Sequence, residues 1–219
     1  MSTATITRKR RPPIPEPEYK FGLESNGILM TPEEFDGDQE DFDPDWDYEL
    51  INGVLIVSPI PLEQEVDPNE ELGYLLRSYQ EHHPRGKALD KTLPERYVRC
   101  GRNRRKPDRV LWVGLGRLPR KGETPTIVVE FVSSRKRDRD RDYKSKRDDY
   151  QKAKVQEYWI IDRFQRTMTV HVLESGKYKV KVVPAEENYR TKLLPGFELP
   201  LAKLLKLADD WNKSEKSTS

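Results

Sequence analysis

The 219-residue sequence predicts a mixed α/β fold, a central mixed sheet flanked by helices. Asn52-Gly53 lies between two short apolar runs, and this is the strongest local signal of a β-hairpin because a type I′ turn needs positive φ at both central residues. The run 127–132 is apolar except for Glu130, as expected of a central strand that is covered on both faces. Apolar residues recur at helical spacing over 69–83 and over 201–211, which predicts amphipathic helices.

Shorter patterns predict the remaining elements. A helix should begin after Thr31, which can cap it, since Pro32 suits the first turn and Glu34 completes a capping box. Ser175-Gly176 separates two further alternating segments and predicts a C-terminal strand pair. Strands are predicted at 88–91, 95–100, 107–113, 126–133, 157–162, 167–174 and 178–183, and another helix at 138–154.

Composition divides the chain into a predicted domain and two predicted disordered ends. Residues 1–28 are basic and rich in Pro, which predicts a disordered arm. Residues 29–211 are predicted to form one domain, and residues 212–219 to form a disordered polar tail. Within the domain, residues 31–49 carry ten acidic side chains and no basic one. We expect this acidic segment to be solvated, because like charges in a run repel one another.

Several classes of protein are excluded by composition. Apolar runs are no longer than four residues, whereas a membrane span needs about 20, so no membrane association is expected. The basic cluster Arg8-Lys9-Arg10-Arg11 is followed by prolines rather than by the apolar stretch of a signal peptide, which predicts a cytoplasmic location. The single cysteine, Cys100, cannot form an intramolecular disulfide, and the three His residues show no zinc-site spacing.

Glu130 is the first candidate functional residue. A carboxylate in a buried strand is costly unless it is paired, hydrogen-bonded or bound to a metal. Asp108 begins the preceding predicted strand, and the connection between the two strands is long enough to place them side by side. Two such carboxylates could share a hard divalent cation, while a structural salt bridge to a nearby Arg remains the alternative.

Lys146 is the second candidate, because of its place on the predicted helix 138–154. Tyr143, Lys146, Tyr150 and Ala153 form one narrow stripe at helical spacing, and this stripe should face the sheet. Lys146 could extend its ammonium to the helix edge, as Lys often does. Alternatively, it could reach the carboxylate pair, where it could hold a water nucleophile or stabilise a phosphoryl oxygen.

Six short segments occur in a characteristic order: Tyr48-Glu49-Leu50-Ile51-Asn52-Gly53, Ser58-Pro59, Pro107-Asp108, Val129-Glu130-Phe131-Val132-Ser133, Asp142 with Lys146 and Tyr150, and Glu157-Tyr158-Trp159-Ile160-Ile161-Asp162. Together they resemble the Uma-two family of restriction-endonuclease-like proteins, within the PD-(D/E)XK nuclease superfamily. The resemblance extends over roughly residues 31–205.

The resemblance implies a restriction-endonuclease-like core and Mg²⁺-dependent (or Mn²⁺-dependent) cleavage of phosphodiester bonds. Asp108 and Glu130 would be metal ligands, and Glu49 would be a further ligand or water-orienting group or else a strand-surface residue. The superfamily has a Lys two residues after the Glu, where this chain has Val132, so Lys146 is the natural replacement. Family members often carry a His after the Ser-Pro segment, and residues 62–65 contain none.

A basic cluster surrounds Asp108 and suggests nucleic acid, DNA in particular, as the partner. Its members are predicted to contact the phosphate backbone rather than to read bases. They are Arg102, Arg104, Arg105, Lys106 and Arg109.

Two alternatives to a nuclease stay open. One is a nuclease-fold binding module with weak or no catalysis, and the other is a protein-interaction subunit, such as a homodimer, in which residues 31–49 guard the basic groove.

Overall fold

The computed structural model describes residues 19–133 and 141–217. The helices are α1 (Pro32–Gly37), α2 (Glu63–His82), α3 (Arg147–Lys152) and α4 (Leu201–Ser217). The strands are β1 (Trp46–Ile51), β2 (Val54–Pro59), β3 (Leu89–Pro94), β4 (Val98–Cys100), β5 (Asn103–Arg105), β6 (Arg109–Val113), β7 (Ile127–Phe131), β8 (Glu157–Asp162), β9 (Thr167–Glu174), β10 (Lys177–Pro184), β11 (Asn188–Tyr189) and β12 (Leu199–Pro200).

A six-stranded mixed sheet forms the centre, in the order β10-β9-β8-β7-β6-β3. Strands β7 and β8 are parallel, and their neighbours pair antiparallel. A π-helical turn, Arg141–Lys146, leads into α3 on the crossover between the two parallel strands. A four-stranded sheet, β2-β1-β5-β4, lies beside it. The predicted mixed α/β fold is confirmed.

The central sheet is buried on both faces. On one face Trp159 and Val129 pack with Leu72 and Leu76 of α2 and Leu204 of α4. On the other face a second cluster packs under α3 and consists of Val98, Cys100, Val110, Trp112, Val128, Val132, Tyr150, Val155, Tyr158 and Ile160. Every residue of β7 is buried, which confirms the prediction of a central strand covered on both sides.

The N-terminal hairpin forms at the predicted turn. Asn52 and Gly53 have φ of 52° and 78°, as a type I′ turn requires, and they join β1 to β2. The predicted capping box of α1 also forms, since Thr31 and Glu34 each accept from the other's backbone N–H.

The acidic segment 31–49 is less solvated than the sequence suggests. Its Phe35 and Phe42 are buried in a small separate core with Tyr48, Leu50 and Leu55 of the hairpin. The aromatic rings attach the segment to the hairpin, whereas most of its carboxylates stay exposed or half-buried and Glu49 alone among them is buried.

Several predicted boundaries differ from those in the structure. Helix α2 begins at Glu63 rather than near residue 69, because Glu65 accepts a hydrogen bond of 2.8 Å from the Leu62 backbone N–H and caps an earlier first turn. Of the predicted arm, Phe21 is buried and accepts a hydrogen bond of 2.8 Å from the Tyr48 hydroxyl. Helix α4 continues to Ser217, beyond the predicted start of the tail. Residues 1–18 and 134–140 lie outside the described part.

None of the helices in the described ranges combines the length and the apolar character that crossing a membrane requires.

His171 gives the folded state a specific sensitivity to acid. Its ring is buried and stacks on Tyr158, and burial, aided by the charge of Arg147, lowers the pKa of His171 to about 4. Between the ordinary pKa of 6.5 and this value, the unfolded state binds more protons than the folded state, so stability falls as pH falls through that window.

His171→Phe keeps a ring against Tyr158 but removes the titration. We expect the unfolding free energy of the variant to decline less than that of the wild type between pH 7 and pH 4.5, as measured by urea denaturation. A difference between the two proteins that stays constant across this pH range would contradict the assignment.

Candidate active site

Glu130 is held in the middle of the central sheet by two donors from the next helical segment. The Lys146 ammonium lies 2.7 Å from Glu130 Oε2, and the Tyr150 hydroxyl donates to Oε1 at 2.9 Å. Glu130 and Lys146 are each only 3% exposed. The Lys146 ammonium therefore does not extend to solvent. It contacts Glu130, one of the two carboxylates that the sequence analysis suggested it could reach.

The local fold explains how these two side chains reach Glu130. Lys146 and Tyr150 are four residues apart, so in helical backbone they project from the same face. That face packs on the sheet, where the Tyr150 ring meets Tyr158 edge-on with 4.9 Å between centroids. Burial, together with the charge of Glu130, raises the pKa of Tyr150 well above its ordinary value. Tyr150 is thus a permanent hydrogen-bond donor to the carboxylate.

Asp108 directly precedes β6 and lies beside Glu130, which is near the end of the neighbouring strand β7. Arg109 of β6 pairs with Val129 of β7, so the register places Asp108 opposite Glu130, one residue further. The backbone N–H of Phe131 donates to Asp108 Oδ2, which ties the carboxylate to the strand that carries Glu130. The two carboxylates that the sequence predicts as a pair are therefore neighbours.

A cavity of about 420 Å³ opens next to Asp108, between α2 and the end of β3. Four carboxylates and one cation are among the side chains that line it, so an anionic ligand could bind there only against that cation, Arg96, or beside a bound metal ion. Its polar and charged lining consists of Glu65, Asn69, Glu70, Glu95, Arg96 and Asp108.

Glu49 joins Glu130 to a second buried ion pair. Its Oε1 accepts from the Lys106 backbone N–H at 3.0 Å and lies 3.6 Å from the Lys146 ammonium, while Oε2 lies 3.4 Å from the Arg105 guanidinium. Arg105 also binds Asp149 at 2.7 Å. We name Glu49, Arg105, Glu130, Lys146 and Asp149 the buried charge network. Its charges alternate in sign along these contacts, so each charge lies next to an opposite one and the network carries one net negative charge.

Arg105 is fully buried at the centre of this arrangement. Although burial disfavours its charge, the carboxylates of Glu49 and Asp149 keep the pKa of Arg105 above its ordinary value. Its guanidinium also donates to Ser145 Oγ at 2.7 Å, next to Lys146 in the chain. Arg105 thereby fastens the segment that carries Lys146 to β5.

The predicted backbone contacts of the basic cluster need correction. Arg105 is fully buried, and Arg104 forms a bidentate pair with Asp36 of the acidic segment at 2.7 and 2.9 Å. The Lys106 ammonium pairs with Asp47 and, at 3.1 Å, with Glu95. These cations are neutralised by acidic residues that are distant in sequence, and for this reason Arg104 and Arg105 are not available to a phosphate backbone.

Arg109 is also misassigned, because it points to the opposite side of the sheet. It is fully buried against α2, where its Nε donates to Asn69 Oδ1 at 2.7 Å, and burial lowers its pKa. Arg102 is exposed, and its contact with nucleic acid stays a prediction.

A metal of the Mg²⁺ type fits the carboxylate pair. Within residues 19–133 and 141–217, no three His, Cys, Asp or Glu side chains are grouped closely enough to hold an ion. Mg²⁺, however, is commonly bound by one or two carboxylates together with water and substrate phosphates. Asp108 and Glu130 provide such a pair, and the acidic cavity beside Asp108 would favour a cation.

Two features of the site were not assigned from the sequence. The hydroxyl of Tyr150 could have been inferred, because Tyr150 lies one turn after Lys146 on the same predicted stripe. The cavity and its Arg96 gave no local signal, since the lining comes from segments that are distant in sequence.

The buried charge network predicts a large stability effect at Arg105. Arg105→Met keeps the length of the side chain but leaves Glu49 and Asp149 without their shared cation, so the unfolding free energy should fall by about 3–5 kcal/mol. Arg190→Met is the control, because it breaks an exposed pair with Glu198 (2.6 Å) and should cost less than about 1 kcal/mol. Urea denaturation measures both, and equal small effects would show that the network does not stabilise the fold.

Comparisons with known proteins agree with this fold. A family model described as "Uma2: Putative restriction endonuclease" matches residues 32–202. Among solved structures, a crystal structure from Anabaena variabilis, described as a putative nuclease belonging to DUF820, aligns with a TM-score of 0.63 at 18% identity and covers 82% of this chain and 99% of its own. No curated protein matches the chain. Since the family model matches most of the sequence, the chain belongs to the Uma2 family of restriction-endonuclease-like proteins.

Proposed function

We propose that the protein is an endonuclease that hydrolyses phosphodiester bonds in DNA and requires Mg²⁺ or Mn²⁺. The observation that carries the proposal is a buried carboxylate, Glu130, that is bound by Lys146 and Tyr150 and lies opposite Asp108. Asp108 in turn lines an open cavity. A carboxylate pair with an adjacent ammonium combines the charges that phosphoryl transfer to water needs. Membership of a nuclease family supports the same reaction class.

Asp108 and Glu130 would hold the cation. When bound, the metal supplies a charge that neutralises the scissile phosphate and lowers the pKa of its water. The protein's own contribution is to fix the carboxylates. The Phe131 N–H orients Asp108, and Lys146 and Tyr150 each bind one oxygen of Glu130, so neither carboxylate has to reorganise when substrate arrives.

Lys146 has a second task in this proposal. Its ammonium lies 2.7 Å from Glu130 Oε2, and there it would stabilise the negative charge that develops on a phosphoryl oxygen during attack. Val132, at the superfamily's usual Lys position, is buried in the apolar cluster beneath α3. Residues 130 and 132 face the same side of the sheet, because side chains alternate along a strand. Lys146 thus approaches from the helix the face that a Lys at position 132 would occupy.

Cleavage assays with single- and double-stranded DNA test the proposal. With Mg²⁺ or Mn²⁺ the wild type should cleave, whereas Asp108→Asn and Glu130→Gln should lose activity because the carboxylate pair is broken. Lys146→Met should lower kcat by about 10²–10³-fold, the usual effect of removing one transition-state donor.

Lys179→Met is the matched control, because Lys179 makes an exposed pair with Glu174 on β10. It should cleave like the wild type. If the three active-site variants retain the wild-type rate, or if the wild type cleaves no strand with either metal, the proposed function is wrong.

The hydroxyl of Tyr150 should contribute to the rate through Glu130. Tyr150→Phe keeps the ring against Tyr158 but removes the donor to Oε1, so kcat should fall by about 10–100-fold with KM little changed. Tyr178→Phe is the control, because it removes a hydroxyl that donates to the Val155 carbonyl at 2.9 Å near the same core. Equal rates for the two variants would show that Tyr150 only packs.

A further inference from the structure

We propose that the cavity beside Asp108 is a subsite for a DNA phosphate that flanks the scissile bond, and that Arg96 is the side chain that binds it. The inference rests on the proposed nuclease function and adds a substrate-binding residue to it. Arg96 is exposed and lies in the cavity wall with Asp108.

The cavity has the size and the position that such a subsite needs. Its volume of about 420 Å³ lies within the common range for small-molecule sites, roughly 300–1,000 Å³. Asp108 is part of its wall, so a phosphate bound there would lie near the phosphate that reacts at the proposed metal site. The wall also carries Asn69, an amide that donates to the Asp108 carbonyl at 2.9 Å.

Three of the four carboxylates of the cavity wall already have cationic partners, and Arg96 differs from them in this respect. Glu95 pairs with Lys106 at 3.1 Å and Glu70 with Arg109 at 3.4 Å. Glu65 lies 3.8 Å from Arg163. Arg96 makes no ion pair with any residue in the described ranges, so its guanidinium is not committed to the fold there.

The backbone holds Arg96 at a fixed place relative to Asp108. Glu95 has φ of 47°, a left-handed conformation that turns the chain sharply after β3. The Glu95 N–H donates to the Asp108 carbonyl at 3.1 Å, so the turn is tied to the same residue that carries the proposed metal ligand. Arg96 follows immediately. A guanidinium is well suited to this position, because its planar set of donors matches two phosphate oxygens.

The salt dependence of DNA binding tests the subsite. A fluorescently labelled 16-base-pair duplex is titrated with wild type and Arg96→Ala in the presence of Ca²⁺, a hard cation that takes the same oxygen ligands. Loss of one phosphate contact should weaken binding by about tenfold near 0.1 M salt and reduce the slope of log K against log salt by about 1. Arg96→Lys should restore the slope, because it restores the charge.

Arg85→Ala is the matched control, because it removes the same charge from an exposed Arg beyond the other end of α2. It should bind like the wild type with an unchanged slope. If Arg96→Ala has the wild-type slope and affinity, or if the wild type does not bind the duplex at any salt concentration, the subsite is refuted.

Cleavage kinetics separate this inference from the proposed function. For Arg96→Ala, KM should rise by about tenfold while kcat stays within about twofold of the wild type, because Arg96 binds a phosphate that does not react. Cleavage by Arg96→Ala with wild-type KM would refute the subsite and leave the nuclease intact. Binding that depends on Arg96, in a wild type that does not cleave, would support the subsite and refute the nuclease.

Discussion

The buried carboxylate of Glu130, near the end of the central strand β7, is the constraint on which the site depends. An ionised group in such a place costs several kcal/mol unless it is paired and hydrogen-bonded. The chain meets this requirement by returning over the sheet after β7 and placing Lys146 and Tyr150 on the carboxylate. The pairing requires α3 to pack on the face of the sheet to which Glu130 points, and the apolar cluster around Tyr150 packs there with it.

The pairing in turn requires that α3 be held in place, and the neighbouring sheet does this. Arg105 of β5 binds Asp149 of α3, and it also meets Glu49 of β1, which faces Lys146. The hairpin is therefore part of the support of the site. The acidic segment and the basic cluster, which are separate in the sequence, meet in space as Asp36 with Arg104 and Asp47 with Lys106. Some of the opposite charges that balance to a net charge of +2 thus meet as ion pairs within the fold.

The elements with a local cause were predictable, and those with a distant cause were not. The turn at Asn52-Gly53 and the buried β7 depend on residues within the element itself, and both form as predicted. The position of Lys146 facing the sheet could be predicted, because helical periodicity puts it on the same face as Tyr150. Arg105, by contrast, looks like one exposed cation in a basic run, because its partners Glu49 and Asp149 lie 56 and 44 residues away.

The proposed site was predictable from the sequence only in part. The carboxylate pair was visible because an acidic residue interrupts an apolar strand, whereas the cavity beside it is built from α2, the turn after β3 and Asp108, and has no sequence pattern of its own. Catalytic groups in the proposed site are therefore anchored by burial, while the proposed substrate contact through Arg96 depends on a single exposed side chain.

A crystal structure of the protein soaked with Mn²⁺ and measured for anomalous scattering would test the central claim most directly. We expect one peak between Asp108 and Glu130, at roughly 2.1–2.4 Å from an oxygen of each, with the Lys146 ammonium still beside Glu130. A peak elsewhere, or no peak at saturating Mn²⁺, would contradict the claim that this carboxylate pair is the metal site of a nuclease.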